Sequence, residues 1–268
     1  MLNYLRAELY KLCHRRSFWV TLGVMLGLEA LLVWGFTFVN AHGGRAYFDD
    51  CVMDIIPRIL SLGGYFTVVA GDMVFAGQYR NATLKNEVSF GIPRWRIYMG
   101  KFIAQLIAAF VLCFVMIGFY VATCRLCLPS VGDYAYMGYT DMDTAQVMLL
   151  LGKCLLAALP VWIGAQATVC ACLFIIRGGA ASTITAVAIF GALPYVMWLV
   201  GLMYSAYPFG QTLLRVREWM PTVMLDNMLF YLRGDYGEWL AKMCLTGGFW
   251  LVGSTALGLL TFQRREIK

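Results

Sequence analysis

Gly77-Gln-Tyr-Arg80-Asn-Ala-Thr-Leu-Lys85-Asn-Glu-Val-Ser-Phe90-Gly-Ile-Pro-Arg94-Trp-Arg-Ile-Tyr-Met-Gly-Lys101 is the long polar interruption in the first half of a chain that is otherwise mostly apolar. It holds five basic residues (Arg80, Lys85, Arg94, Arg96, Lys101) against one acid, Glu87. Segments long enough to cross a bilayer lie on both sides of it, so its charge fixes the side of the membrane it occupies. Residues Asn81 to Ser89 are expected to form a short helix, Gly91-Ile92-Pro93 to break it, and Arg94 to start a new helix that runs into lipid.

The rest of the chain fits that frame. Of 268 residues, 61% are hydrophobic and 13% charged, outside the range of a soluble domain. The net charge of +6 does not point to nucleic acid, because the positive residues cluster beside apolar spans and form no recognisable binding module. Spanning segments are predicted at about 18–39, 55–76, 103–124, 147–176, 181–203 and 243–262. Pro160 is expected to kink the fourth. The first, Phe18 to Val39, has 22 residues and is too long for a signal-peptide core. Before it, Leu2, Leu5, Leu9 and Leu12 share one helical stripe, with Arg6, Glu8, Lys11, Arg15 and Arg16 mostly elsewhere, as in a helix lying flat in the membrane interface.

Placing the N-terminus inside puts 13 basic residues in inner segments and six in outer ones, and leaves ten of the fifteen acids outside. Both termini are therefore expected in the cytoplasm. That placement makes the acceptor pattern Asn81-Ala82-Thr83 a chance match. Between the fifth and sixth spans, Tyr204 to Glu238 carries apolar residues at helical spacing broken at Pro221. This predicts two short helices that dip into the outer leaflet, with a loop packed on the bundle as the alternative. The expected fold is all-α, a single polytopic domain over 1–268.

The chain offers little for catalysis. It has no phosphate-cradling G-x-x-x-x-G-K-[ST] loop, no H-E-x-x-H and no G-x-S-x-G. Nine cysteines, most of them in apolar runs, read as packing residues, and Cys124-Arg-Leu-Cys127 lacks nearby histidines to complete a metal site. Two acids lie inside the spans. Glu29 falls near mid-membrane, either in a translocation path or inter-helix contact, or as a structural pair or neutral acid. Asp72 lies near the inner end of the second span, where a cytoplasmic base is the expected partner, and Arg58 is expected to reach outward. Gly23-x-x-x-Gly27 and Gly63-Gly64 permit close helix approach.

On Leu5-Arg-Ala-Glu8-Leu-Tyr-Lys11-Leu, on Ala82-Thr83-Leu84-Lys85 with Arg94 and Gly100-Lys101, and on the closing Phe262-Gln-Arg-Arg265-Glu-Ile-Lys268, the chain resembles six-span permease subunits of type-2 ATP-binding-cassette exporters. Within that class it is most similar to bacterial lantibiotic-immunity and bacitracin-type permeases. Where that family carries a glutamate and a glycine ahead of Thr-Leu-Lys, this chain has Gln78 and Ala82.

The resemblance implies that the Asn81–Ser89 helix sits in a groove of a separate ATPase subunit, which binds ATP and Mg, while this chain needs no cofactor. The coupling residues would be Asn81, Thr83, Leu84, Lys85, Glu87 and Val88. Leu84 and Val88, one turn apart, would enter the groove, and Lys85 and Glu87 would set register at its rim. A second permease copy or a related chain would complete the path in the cell membrane. The cargo is expected to be amphipathic, a peptide antibiotic or a lipid. A non-transporting membrane partner or sensor subunit of a signalling or resistance complex is the alternative reading.

Overall fold

The computed structural model describes residues 2–75, 83–130, 144–176, 179–228 and 235–264, and these are helical almost throughout. The helices are α1 (Leu2–Cys13), α2 (Arg16–Ala41), α3 (Phe48–Phe75), α4 (Thr83–Ser89), α5 (Arg94–Cys127), α6 (Thr144–Ile175), α7 (Gly179–Val187), α8 (Leu193–Met203), α9 (Pro208–Arg217), α10 (Pro221–Asp226) and α11 (Tyr236–Arg264). Among the described residues six stretches are long and apolar enough to span: α2, Pro57–Phe75 of α3, α5, α6, Gly179–Met203 and α11. Each corresponds to one predicted from the sequence, but several helices outrun their apolar cores. The 34 residues of α5 reach roughly 50 Å, against a hydrocarbon layer of about 30 Å.

Side-chain contacts give the relative directions of the second to sixth spans. Tyr120 bonds the Cys51 carbonyl while Gln105 lies beside Gly71, so α5 runs antiparallel to α3. Trp162 donates to Leu60 O at 2.9 Å and Val169 abuts Gly71, so α6 runs parallel to α3. Gly164 meets Gly247 and Ala171 meets Gly258, which makes α11 parallel to α6. Thr183 reaches Asp72 and Gly191 lies under Tyr65, so the fifth span opposes α3. The second to sixth spans therefore alternate, and α1, α4, the start of α5 and the end of α11 share one end of the bundle.

Small residues set the closest approaches, as in membrane bundles generally. A Cβ at Gly247 would come within 2.2 Å of the Pro160 carbonyl oxygen, and one at Gly63 within 2.6 Å of the Trp162 ring. Gly23 and Gly27, by contrast, face open space. The helix α6 continues through Pro160. The change of winding falls in the fifth span, where Ala188–Ala192 is π-helical just before Pro194.

Between the fifth and sixth spans lie the two short helices separated at Pro221, α9 and α10. Almost all of α10 is buried, and it packs on α3. Leu229, Phe230 and Tyr231 lie outside the described residues. All nine cysteines are free thiols, and no group of His, Cys, Asp or Glu among the described residues is arranged to hold a metal.

Candidate functional site

The chemistry expected around the Asn81–Ser89 helix converges on one side chain outside it. Lys101 lies two turns into α5, is 0% exposed, and brings its ammonium within 3.4 Å of Glu8 of α1 and 3.4 Å of Glu87 of α4. Lys11 bonds the same Glu8 oxygen at 2.8 Å, and the Tyr4 hydroxyl donates to Glu87 Oε2 at 2.8 Å. Two lysines and two glutamates thus balance in charge. Balance is needed, because an isolated buried ammonium would be expelled or neutralised, whereas two carboxylates offset its lost hydration.

Aromatic rings enclose the group: the ammonium lies 5.6 Å from the Tyr4 ring centroid and 5.7 Å from that of Phe75. Gly100 makes the approach possible, since a Cβ there would fall 2.4 Å from the Tyr4 ring. Burial, and then the charges of Glu8 and Glu87, hold the Tyr4 hydroxyl far above the usual tyrosine range, so it remains a donor.

Local sequence builds α4 and turns it. The helix ends at Ser89, Gly91 takes a left-handed φ of 80°, and Pro93 caps the start of α5. This is the helix, break and restart predicted from the sequence. Leu84 is 8% exposed and packs in the chain's own core with Leu12 and Ile97, where Val88 and Ile92 join it. Lys85 and Asn86 face outward, and Phe90 is 85% exposed. Thr83 is the first residue of α4, whereas Asn81 lies outside the described residues.

Positive residues at this end also cap helices. Arg94 Nη1 donates to the carbonyls of Phe262 at 2.8 Å and Gln263 at 2.7 Å, at the C-terminal end of α11. Arg15 donates to Met73 O near the end of α3. Terminal carbonyls without intrahelical donors attract cations, so bases that mark sidedness in the sequence close helix ends in the fold.

Glu29 and Asp72 do not meet. Glu29 is 7% exposed on α2 and interacts electrostatically with Tyr120 and Cys124 of α5. Asp72 accepts from Thr183 Oγ1 at 3.4 Å, and among the described residues no base bridges it. Arg80 and Arg177 lie outside them. Gly71 beside Gln105 sets the level of Asp72 along α5, so the two acids are separated by roughly 20 Å along that helix. Arg58 is exposed.

Sequence reading missed Tyr4, Glu8 and Lys101 as a unit, treating Glu8 as polar-face and Lys101 as topological charge. One signal was available: Glu8 and Glu87 are the sole acids of two strongly basic segments.

Compared with known proteins, the chain matches the family described as ABC-2 family transporter protein over residues 4–195, a range that takes in Tyr4, Glu8, α4 and Lys101. No curated protein matches it.

Proposed function

The chain belongs to the ABC-2 transporter family, and on that premise we propose that it is the membrane half of an ATP-driven exporter worked through α4. It is a multi-pass permease domain that lacks ATPase activity itself, and ABC-2 permeases generally pair with ATPase subunits. In the proposed arrangement residues 1–268 form one domain, and the end carrying α1 and α4 faces the cytoplasm. Lys85, Asn86 and Phe90 meet a groove of the ATPase. Leu84, Glu87 and Val88 root the helix in the bundle instead of entering that groove, and Asn81 and Thr83 lead into it.

The observation that carries this reading is the fully buried Lys101 ammonium held between carboxylates of α1 and α4. Closure of an ATPase pair on ATP would move α4. Through Glu87, Lys101 and Glu8 that movement reaches α1, which leads directly into α2. Such coupling requires a bundle with two packings whose balance the nucleotide shifts. The α9–α10 hairpin is assigned to the outer leaflet, near the exit. The cargo is an amphiphile, a peptide antibiotic or a lipid-like molecule as in the lantibiotic and bacitracin systems, and a second permease chain completes the path.

The test is co-expression with the cognate ATPase. Lys85→Glu combined with Phe90→Asp should abolish co-purification and transport in vesicles while the permease still folds. Undiminished assembly and transport would remove α4 from the interface.

A further inference from the structure

Glu29 is a buried acid that the α1–α4–α5 node does not use. It sits on the face of α2 shared with Met25, Leu26 and Val33, all packed in the apolar core. Neither carboxylate oxygen has a hydrogen-bond partner among the described residues. The hydroxyl best placed to serve, that of Tyr120, already donates to the Cys51 carbonyl at 3.0 Å.

An unpartnered carboxylate at bilayer depth is costly, and such groups mark ion or substrate paths more often than scaffolding. Its span is also the one the rest of the chain covers least: 11% of the apolar stretch of α2 is buried, against 72% of that of α3. Since α2 packs against α5, a molecule dissolved in the bilayer would reach Glu29 by parting that seam. Among the described residues no cation competes for it.

We propose that Glu29 is the recognition point for the positive charge of a cationic amphiphile, whose apolar body lies along α2 and α5. This deepens the exporter reading by naming the charge class of its cargo, and its purpose rests on that reading.

The experiment uses the permease–ATPase complex in lipid nanodiscs and two probes of one shape and opposite charge, tetraphenylphosphonium and tetraphenylborate. Saturable phosphonium binding should weaken about tenfold or more in Glu29→Gln and persist in Glu29→Asp, while borate shows no dependence on the residue. In the unaltered chain a hydrophobic carbodiimide should label Glu29, read by mass spectrometry, and phosphonium should slow the labelling. Equal phosphonium binding by Glu29→Gln, no saturable binding to the unaltered complex, or carbodiimide labelling indifferent to phosphonium would each overturn the proposal. If Glu29→Gln does not fold, the carbodiimide measurement decides. Co-purification of the ATPase in the same preparations separates failure of this site from failure of the exporter reading.

Discussion

Thr222 donates its hydroxyl to the Phe190 carbonyl at 2.7 Å, joining α10 to the fifth span. Pro194, four residues after Phe190, has no N–H to offer that oxygen, and the hydroxyl takes its place. Arg217 adds a bond from its Nε to Pro194 O at 3.1 Å, so the irregular turn of the span and the α9–α10 hairpin hold one another. Thr222→Val should destabilise the protein by about 1–3 kcal/mol, the cost of stranding a buried carbonyl. Thr222→Ser should retain most of the stability, as read by thermal unfolding in detergent.

Lys101→Met should be far more damaging than its conservative volume suggests, because it removes the one cation shared by buried Glu8 and half-buried Glu87, leaving only Lys11 on Glu8. Removing one partner of a buried charge cluster costs about 3–5 kcal/mol. Lys101→Met with Glu8→Gln and Glu87→Gln should recover much of that loss. If the single and triple variants melt together, the cluster does not hold α1 and α4 to α5.

The seam between α6 and α11 should tolerate no side chain at Gly247, which lies against the Pro160 backbone. Gly247→Leu should prevent folding or separate the sixth span, detectable as loss of monodisperse protein. Gly23→Leu on α2, with open space around it, should leave the isolated chain folded.

Tyr4 gives a pH prediction. Its hydroxyl is held above the ordinary tyrosine value by burial and by the nearby carboxylates, so the folded chain keeps this proton where an unfolded chain loses it. Stability from this group is present below the ordinary value of about 10 and falls as pH rises beyond it. Tyr4→Phe should melt less steeply with rising pH between about 9 and 11 than the unaltered chain.

The six spans were legible because hydropathy and length alone demand them, and the turn after α4 was legible because Gly91 and Pro93 act locally. What joins distant segments was not. Glu8 looked like part of a solvated face because its own helix gives no hint that Lys101, 93 residues away, will sit beneath it. Leu84 and Val88, one turn apart, looked like residues offered to a partner, yet Leu84 is spent on this chain's core. A spacing pattern cannot say which side of a short helix is inward. The π-helical turn before Pro194 had no counterpart in the reading of the sequence, because hydropathy and length do not report local winding.

The most direct measurement is the distance between α1 and α4 in the permease–ATPase complex through the nucleotide cycle. With other cysteines replaced, spin labels on Cys13 and on Ser89→Cys, each exposed, report that distance, and a third label at Leu149→Cys on the lipid-facing side of α6 gives a fixed reference. The α1–α4 distance should stay constant on ATP trapping while both labels shift together relative to α6, and Lys101→Met should uncouple them. Movement of α4 away from a stationary α1 in the unaltered complex would contradict the account.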